Sequence, residues 1–206
     1  GPAFRAIRAH ALLDAGERIF IEDPAYYGAR KAFEAAGLAC QAIPVDAEGL
    51  QVDRLLAHPH PAKAVYLTPS HQFPTGATLS LERRLALIEW AKREQAWIIE
   101  DDYDYEFLFS HRPMFPMASV DRSGRVIYVG SLSKVLAPGL RVGYVVGAPA
   151  LIDRCAAEIL LIDRQGNPVT ERAVSDLMDS GELKRHIRRA LRVYEARRSL
   201  MADRSE

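Results

Sequence analysis

Short apolar runs alternate with amphipathic stretches along most of the chain, and the alternation predicts strand, helix, strand in repeated order. Phe4 to Leu13 has helical spacing and stops at Asp14-Ala15-Gly16, after which Arg18 to Ile21 reads as a strand. A helix from Ala29 to Ala36 ends at Gly37, a strand covers Cys40 to Val45, and a short helix is expected near Val52 to Leu56. Ala64 to Thr68 is a further strand. Ser80 is placed to cap a helix from Leu81 to Glu94, in which Leu81, Leu85 and Ile88 repeat at helical spacing. Ala96 to Ile99, Arg125 to Gly130 and Tyr144 to Val146 complete the apolar runs. Helices are expected from about Pro149 to Ile162, from a Thr170 cap to about Asp179, and from Glu182 onward, the last with Leu183, Ile187, Leu191 and Tyr194 on one face. This order predicts an α/β fold with a mostly parallel central sheet, because βαβ crossovers return each strand in the same direction and bring strand ends to one edge.

Composition narrows the classes. With 206 residues and 49% hydrophobic content the chain can bury one sizeable core, with room for part of a second domain. Lys+Arg 27 against Asp+Glu 27 argues against a globally basic nucleic-acid binder. The last helix does carry Arg185, Arg188, Arg189, Arg192 and Arg198, which can touch nucleic acid but more often form a solvated face, and no aromatic or glycine motif accompanies them. Cys40 and Cys155 form no CxxC pair, so neither a disulfide framework nor a zinc site is indicated and a reducing cytoplasm fits. No apolar stretch reaches the roughly 18 residues of a membrane span and no signal peptide opens the chain. The absence of a GxGxxG loop and a P-loop counts against NAD and ATP sites. His58 and His60 alternate with prolines, a pattern of connectors more than of metal ligands.

Candidate chemistry gathers at the expected strand ends. Ser131-Leu132-Ser133-Lys134 to Arg141-Val142-Gly143 lies between two apolar runs, so Lys134 sits in a loop held at both ends. Ser131, Ser133 and Arg141 are the groups a phosphate needs, and a lysine beside a phosphate cup suggests pyridoxal 5'-phosphate, although a surface Ser/Lys/Arg loop has the same composition. Tyr26 and Tyr27 follow the first strand, where open α/β sheets bind ligands, or they pack under the next helix. His71 and Gln72 lie in a turn-rich loop after the third long strand and are able to reach a ligand. The acidic run Glu100-Asp101-Asp102-Tyr103-Asp104 has three readings: a solvated loop, a divalent-metal site, or one aspartate facing a pyridine nitrogen.

These motifs resemble the fold-type I aminotransferase superfamily and, more narrowly, the pyridoxal-phosphate domain of MocR-type regulators of the GntR family. Ser-x-Ser-Lys with Gly-Leu-Arg-x-Gly carries the superfamily signal; Thr68 to Gly76 with Ile99 to Asp104 carries the narrower one. The resemblance implies a three-layer α/β/α sandwich, the large domain over residues 1–180 and, over 181–206, the start of a helix leading to a small domain. It implies that Lys134 forms the internal aldimine and Asp101 pairs with the pyridine nitrogen. Tyr103 would bond the ring's O3', Tyr26 would stack on the ring, and Ser131, Ser133 and Arg141 would hold the phosphate. Phe73 stands where aminotransferases usually have an asparagine on O3', with His71 or Gln72 as substitutes, and Tyr105 stands where the regulators more often have a small residue. A phosphate loop would precede Phe4 and a carboxylate-gripping arginine would follow Glu206. The resemblance further implies a cytoplasmic homodimer that senses a small amine or amino acid and meets DNA only through a winged-helix domain outside this chain. The competing expectation is a working class I aminotransferase.

Overall fold

The computed structural model describes residues 12–107, 114–164 and 166–202. In chain order the elements are β1 (Arg18–Asp23), α1 (Tyr27–Ala35), β2 (Ala39–Asp46), β3 (Gly49–Leu50), α2 (Val52–Leu56), β4 (Ala64–Leu67), α3 (Leu81–Glu94), β5 (Trp97–Asp102), α4 (Met117–Val120), β6 (Val126–Ser131), β7 (Gly143–Val146), α5 (Pro149–Asp163), α6 (Pro168–Asp179) and α7 (Glu182–Ala202). Tyr105–Phe107 and Pro138–Leu140 form 3-10 turns. The helix expected from Phe4 lies outside the described residues except at its last two positions.

The seven strands form one sheet in the order β3-β2-β1-β4-β5-β6-β7. β2, β1, β4, β5 and β6 run parallel, and the antiparallel β3 and β7 close the two edges. All four residues of β4 are fully buried, as a central strand covered on both faces requires. The two-residue period of the strands sorts their side chains into two cores. Phe20, Val65, Leu67, Ile98 and Val126 face one way, against Val52 and Leu55 of α2, Leu87, Ile88 and Trp90 of α3, and Met117 of α4. Ile19, Ile21, Tyr66, Ile99, Ile127 and Val129 face the other way, against Ala29 and Phe33 of α1 and Leu151 and Cys155 of α5. The result is the expected three-layer sandwich. A third cluster joins Leu132 and Val135, beside Lys134, to Val174 of α6 and Leu183 of α7.

Two local expectations need correction. Leu81 and Leu85 are exposed, and the inward face of α3 is Arg84, Leu87, Ile88 and Ala91. Arg84 occupies a core position because backbone carbonyls satisfy its guanidinium: Leu79 O at 2.9 Å, Pro69 O at 2.7 Å and Phe115 O at 3.2 Å. At α6 the cap is Asn167 and not Thr170; the Asn167 side chain accepts the Thr170 N–H at 3.2 Å. Ser80 does stand at the N-cap of α3, but its side chain makes no cap bond. Among the described residues no helix is long and apolar enough to cross a membrane.

Candidate cofactor site

The parallel strands β1, β4, β5 and β6 deliver the loops that follow them to one edge of the sheet, where those loops wall a cavity of about 330 Å³. Tyr26 and Phe73 come from the loops after β1 and β4, Tyr66 and Thr68 from β4 and its end. Asp101 and Tyr103 come from the end of β5. Ser131, Ser133, Lys134 and Arg141 come from the loop between β6 and β7.

The lysine loop is held from below. Leu132 and Val135 bury themselves in the third cluster, the Leu136 N–H donates to Leu132 O at 2.9 Å, and a ring nitrogen of His186 on α7 meets Val135 O at 2.9 Å. With its two apolar neighbours turned inward, Lys134 turns to the cavity. The Ser133 N–H donates to Ser131 Oγ at 3.2 Å, and Arg141 takes a left-handed backbone (φ 54) where the chain reverses into β7. A left-handed non-glycine residue at a ligand-facing loop is backbone strain stored at the site.

Strand alternation divides the acidic run. Asp101 shares its face with Ile99 and opens on the cavity, where its Oδ2 accepts a 2.6 Å hydrogen bond from the Tyr66 hydroxyl. Burial pushes its carboxyl up to about 6, with the Tyr66 bond pulling the other way. Glu100 and Asp102 point to the opposite face and are buried there. Glu100 accepts the Met117 and Ala118 N–H groups at 2.8 and 3.0 Å and lies 3.8 Å from Arg84. Asp102 accepts from Ser70 Oγ at 3.3 Å, and burial with the neighbouring Glu100 charge pushes it up to about 7. The run is therefore no solvated loop. Among the described residues no three or more His, Cys, Asp or Glu converge in a metal-holding group.

Of the residues singled out in the sequence as able to meet a ligand, Tyr27, His71 and Gln72 do not line the cavity; Tyr27 is exposed to solvent. The His71 ring meets Asp104 Oδ2 at 2.8 Å, and its backbone carbonyl accepts from the Tyr103 hydroxyl at 3.1 Å. Gln72 is buried and fully engaged: its amide nitrogen donates to Pro24 O, Phe73 O and Glu22 Oε2, and its oxygen accepts from Thr75. Neither side chain offers a polar group beside Phe73. Phe73 instead meets Tyr26 and Tyr103 edge-on, with centroids 5.9 and 6.4 Å apart, so the mouth of the cavity is an aromatic wall.

Three residues escaped the sequence reading. Tyr66 and Thr68 looked like ordinary strand positions, and Glu22 like a loop acid. Glu22 is buried, accepts from the Thr68 N–H and hydroxyl at 3.0 and 2.9 Å, and is pushed up to about 7, mainly by burial. A tyrosine inside a wholly apolar strand was the readable signal for Tyr66, since its buried hydroxyl must find a partner.

A family model for class I and II aminotransferases matches residues 3–203. This chain belongs to that family. The narrower resemblance also holds at the level of sequence similarity. The chain is 35% identical over 194 residues to the probable rhizopine catabolism regulatory protein MocR of Rhizobium meliloti, covering 94% of this chain and 39% of that protein. It is 35% identical over 192 residues to the HTH-type pyridoxine biosynthesis transcriptional regulator PdxR of Corynebacterium glutamicum, covering 93% and 41%. The chain thus spans about two fifths of these curated relatives. Among solved structures, Pyrococcus horikoshii kynurenine aminotransferase in complex with PMP superposes with a TM-score of 0.87 at 32% identity, over 98% of this chain and 51% of that one. The family and this cofactor-bearing neighbour indicate pyridoxal phosphate as the cofactor of the class I and II pocket. The donor set fits it: a lysine amine, two serine hydroxyls and a guanidinium from one loop, a carboxylate from β5, and aromatic walls for a flat ring.

Proposed function

We propose that the chain is the effector domain of a transcriptional regulator, holding pyridoxal phosphate through Lys134 and responding to a small amine or amino acid. The observation that carries this is the gathering of Lys134, Ser131, Ser133 and Arg141 with Asp101 in one aromatic-walled cavity, in a chain similar to HTH-type regulators. Bound pyridoxal phosphate supplies an aldehyde and an electron-withdrawing ring. The Lys134 amine would be the nucleophile toward that aldehyde, and the two serine hydroxyls and the Arg141 fork would take the phosphate oxygens. Asp101, ionised above about pH 6, offers its carboxylate to the ring nitrogen. Tyr26 and Phe73 would confine the ring, and Tyr103, whose hydroxyl donates to His71 O at 3.1 Å, would exchange that bond to reach the ring's edge.

Phe73 favours sensing over turnover. Transamination depends on orienting the bond to be broken over the lysine, and Phe73 has no hydrogen-bonding group to fix the ring's phenolic side. In this proposal residues 1–180 belong to the large domain and 181–206 begin the passage to a small one. The whole protein is a cytoplasmic homodimer that meets DNA through a winged-helix domain outside this chain. Ligand binding shifts it between states by binding one of them better. The second reading, a class I aminotransferase, is favoured by the similarity to the kynurenine enzyme. A single-turnover absorbance experiment on the whole protein with a panel of amino acids separates the two. A spectral shift without complete conversion supports the sensor; rapid conversion of the cofactor to its amine form, and its return with a keto acid, establishes the enzyme.

A further inference from the structure

Tyr66 sits in the middle of β4, in register with Ile21 of β1 and Ile99 of β5, and has no exposed surface. Phe33 of α1 meets its ring at 61° with centroids 5.6 Å apart, which fixes the ring plane. A side chain so held delivers its hydroxyl to Asp101 Oδ2 at 2.6 Å. Both residues line the cavity. Burial and the neighbouring Asp101 charge raise the Tyr66 hydroxyl well above its ordinary value, so it remains a donor at every pH the protein meets.

We infer that Tyr66 is a positioning residue of this pocket: its hydroxyl keeps Asp101 ionised and commits one carboxylate oxygen, leaving the other as the anion for a protonated ring nitrogen. The inference rests on the pyridoxal phosphate reading above. The need for such a donor follows from what surrounds Asp101. Burial and the Asp104 charge favour its neutral acid, Glu22 adds a further carboxyl nearby, and Lys134 and Tyr103 line the same cavity. A neutral acid there has no charge with which to hold a proton on a pyridine nitrogen. One hydrogen bond to a carboxylate is worth about one to two pKa units. That is enough to decide the state of a group whose pKa lies near 6.

The test starts without cofactor. In protein labelled with carboxyl-13C aspartate, the Asp101 resonance, assigned by its loss in Asp101→Asn, is titrated by NMR. Tyr66→Phe is expected to move its midpoint up by about one unit or more. Phe33→Leu, which loosens the packing but keeps the hydroxyl, is expected to lower Tm while moving the midpoint much less. In protein loaded with pyridoxal phosphate, Tyr66→Phe is expected to weaken binding by a factor approaching about ten at pH 5, one unit expressed as affinity, with the gap closing by pH 8 where Asp101 is ionised in both proteins. An unmoved or lowered midpoint in Tyr66→Phe, an equal shift in Phe33→Leu, or an affinity gap independent of pH overturns the role given to Tyr66. These outcomes are separable from a failure of the cofactor reading, which shows as the absence of any Lys134-dependent absorbance band whatever Asp101 does.

Discussion

Asp101 and Asp102 are neighbours in the chain, and burial raises both carboxyls, yet they belong to different parts of the molecule. Asp101 opens on the cavity and is held by one tyrosine. Asp102 faces the opposite layer, where Ser70 and Tyr128 bond it and, among the described residues, its Oδ1 has no hydrogen-bond partner. One residue along a strand changes the face, and with it the task. The cavity side leaves a carboxyl group opening on the cavity. The far side closes its acids into the core with Arg84 and backbone N–H groups.

The largest expected effect lies on the far side. Arg84→Ala removes the donor to three backbone carbonyls and leaves Glu100 buried beside no cation, a loss of about 3–5 kcal/mol in denaturant unfolding. Because Arg84 touches nothing in the cavity, the fraction that still folds is expected to bind cofactor as the wild type does. Loss of binding at intact fold, or a cost below about 1 kcal/mol, breaks the separation of the two sides.

Next in size is the pH dependence. The folded-state pKa values of Asp101, Asp102 and Glu22 are about 6, 7 and 7, all above their ordinary values. Between about pH 4 and 7 the folded state therefore binds more protons than the unfolded one, and stability falls as pH rises through that window. Unfolding free energy is expected to be higher at pH 5 than at pH 8. Asp102→Asn is expected to flatten that slope without touching cofactor affinity, whereas Asp101→Asn flattens it and weakens binding. Stability that rises from pH 5 to pH 8 contradicts the assignment of these carboxyls.

How much of this the sequence carried follows from the same parity. The lysine loop was legible because two apolar runs bracket it, and Ser131, Ser133 and Arg141 lie close by in the chain. The α/β order was legible because runs and amphipathic stretches alternate cleanly, as β4 and its neighbours show. The partners that cross between strands were not legible. Tyr66 reaches Asp101 across 35 positions and Thr68 reaches Glu22 across 46. Nor was the inward turn of Arg84, since a guanidinium in a core depends on carbonyls supplied by distant loops. Helical spacing alone therefore pointed to Leu81 and Leu85. His71 and Gln72 looked free to reach a ligand until Asp104 and Glu22 were seen to claim them.

The smallest expected effect sharpens the far side once more. Ser70→Ala removes a donor to Asp102 Oδ2, so it is expected to cost up to about 1 kcal/mol at pH 8, where Asp102 is ionised, and almost nothing at pH 5. An equal cost at both pH values contradicts an ionising Asp102.

The claim that joins these observations is that the cavity, and not the far side, holds pyridoxal phosphate through Lys134. Its most direct measurement is the visible absorption of the protein titrated with pyridoxal phosphate, compared across wild type, Lys134→Ala, Asp101→Asn and Asp102→Asn. A saturable band is expected in wild type and Asp102→Asn, a weakened and shifted one in Asp101→Asn, and none in Lys134→Ala. A band that survives in Lys134→Ala, or that Asp102→Asn alters as much as Asp101→Asn does, contradicts the account.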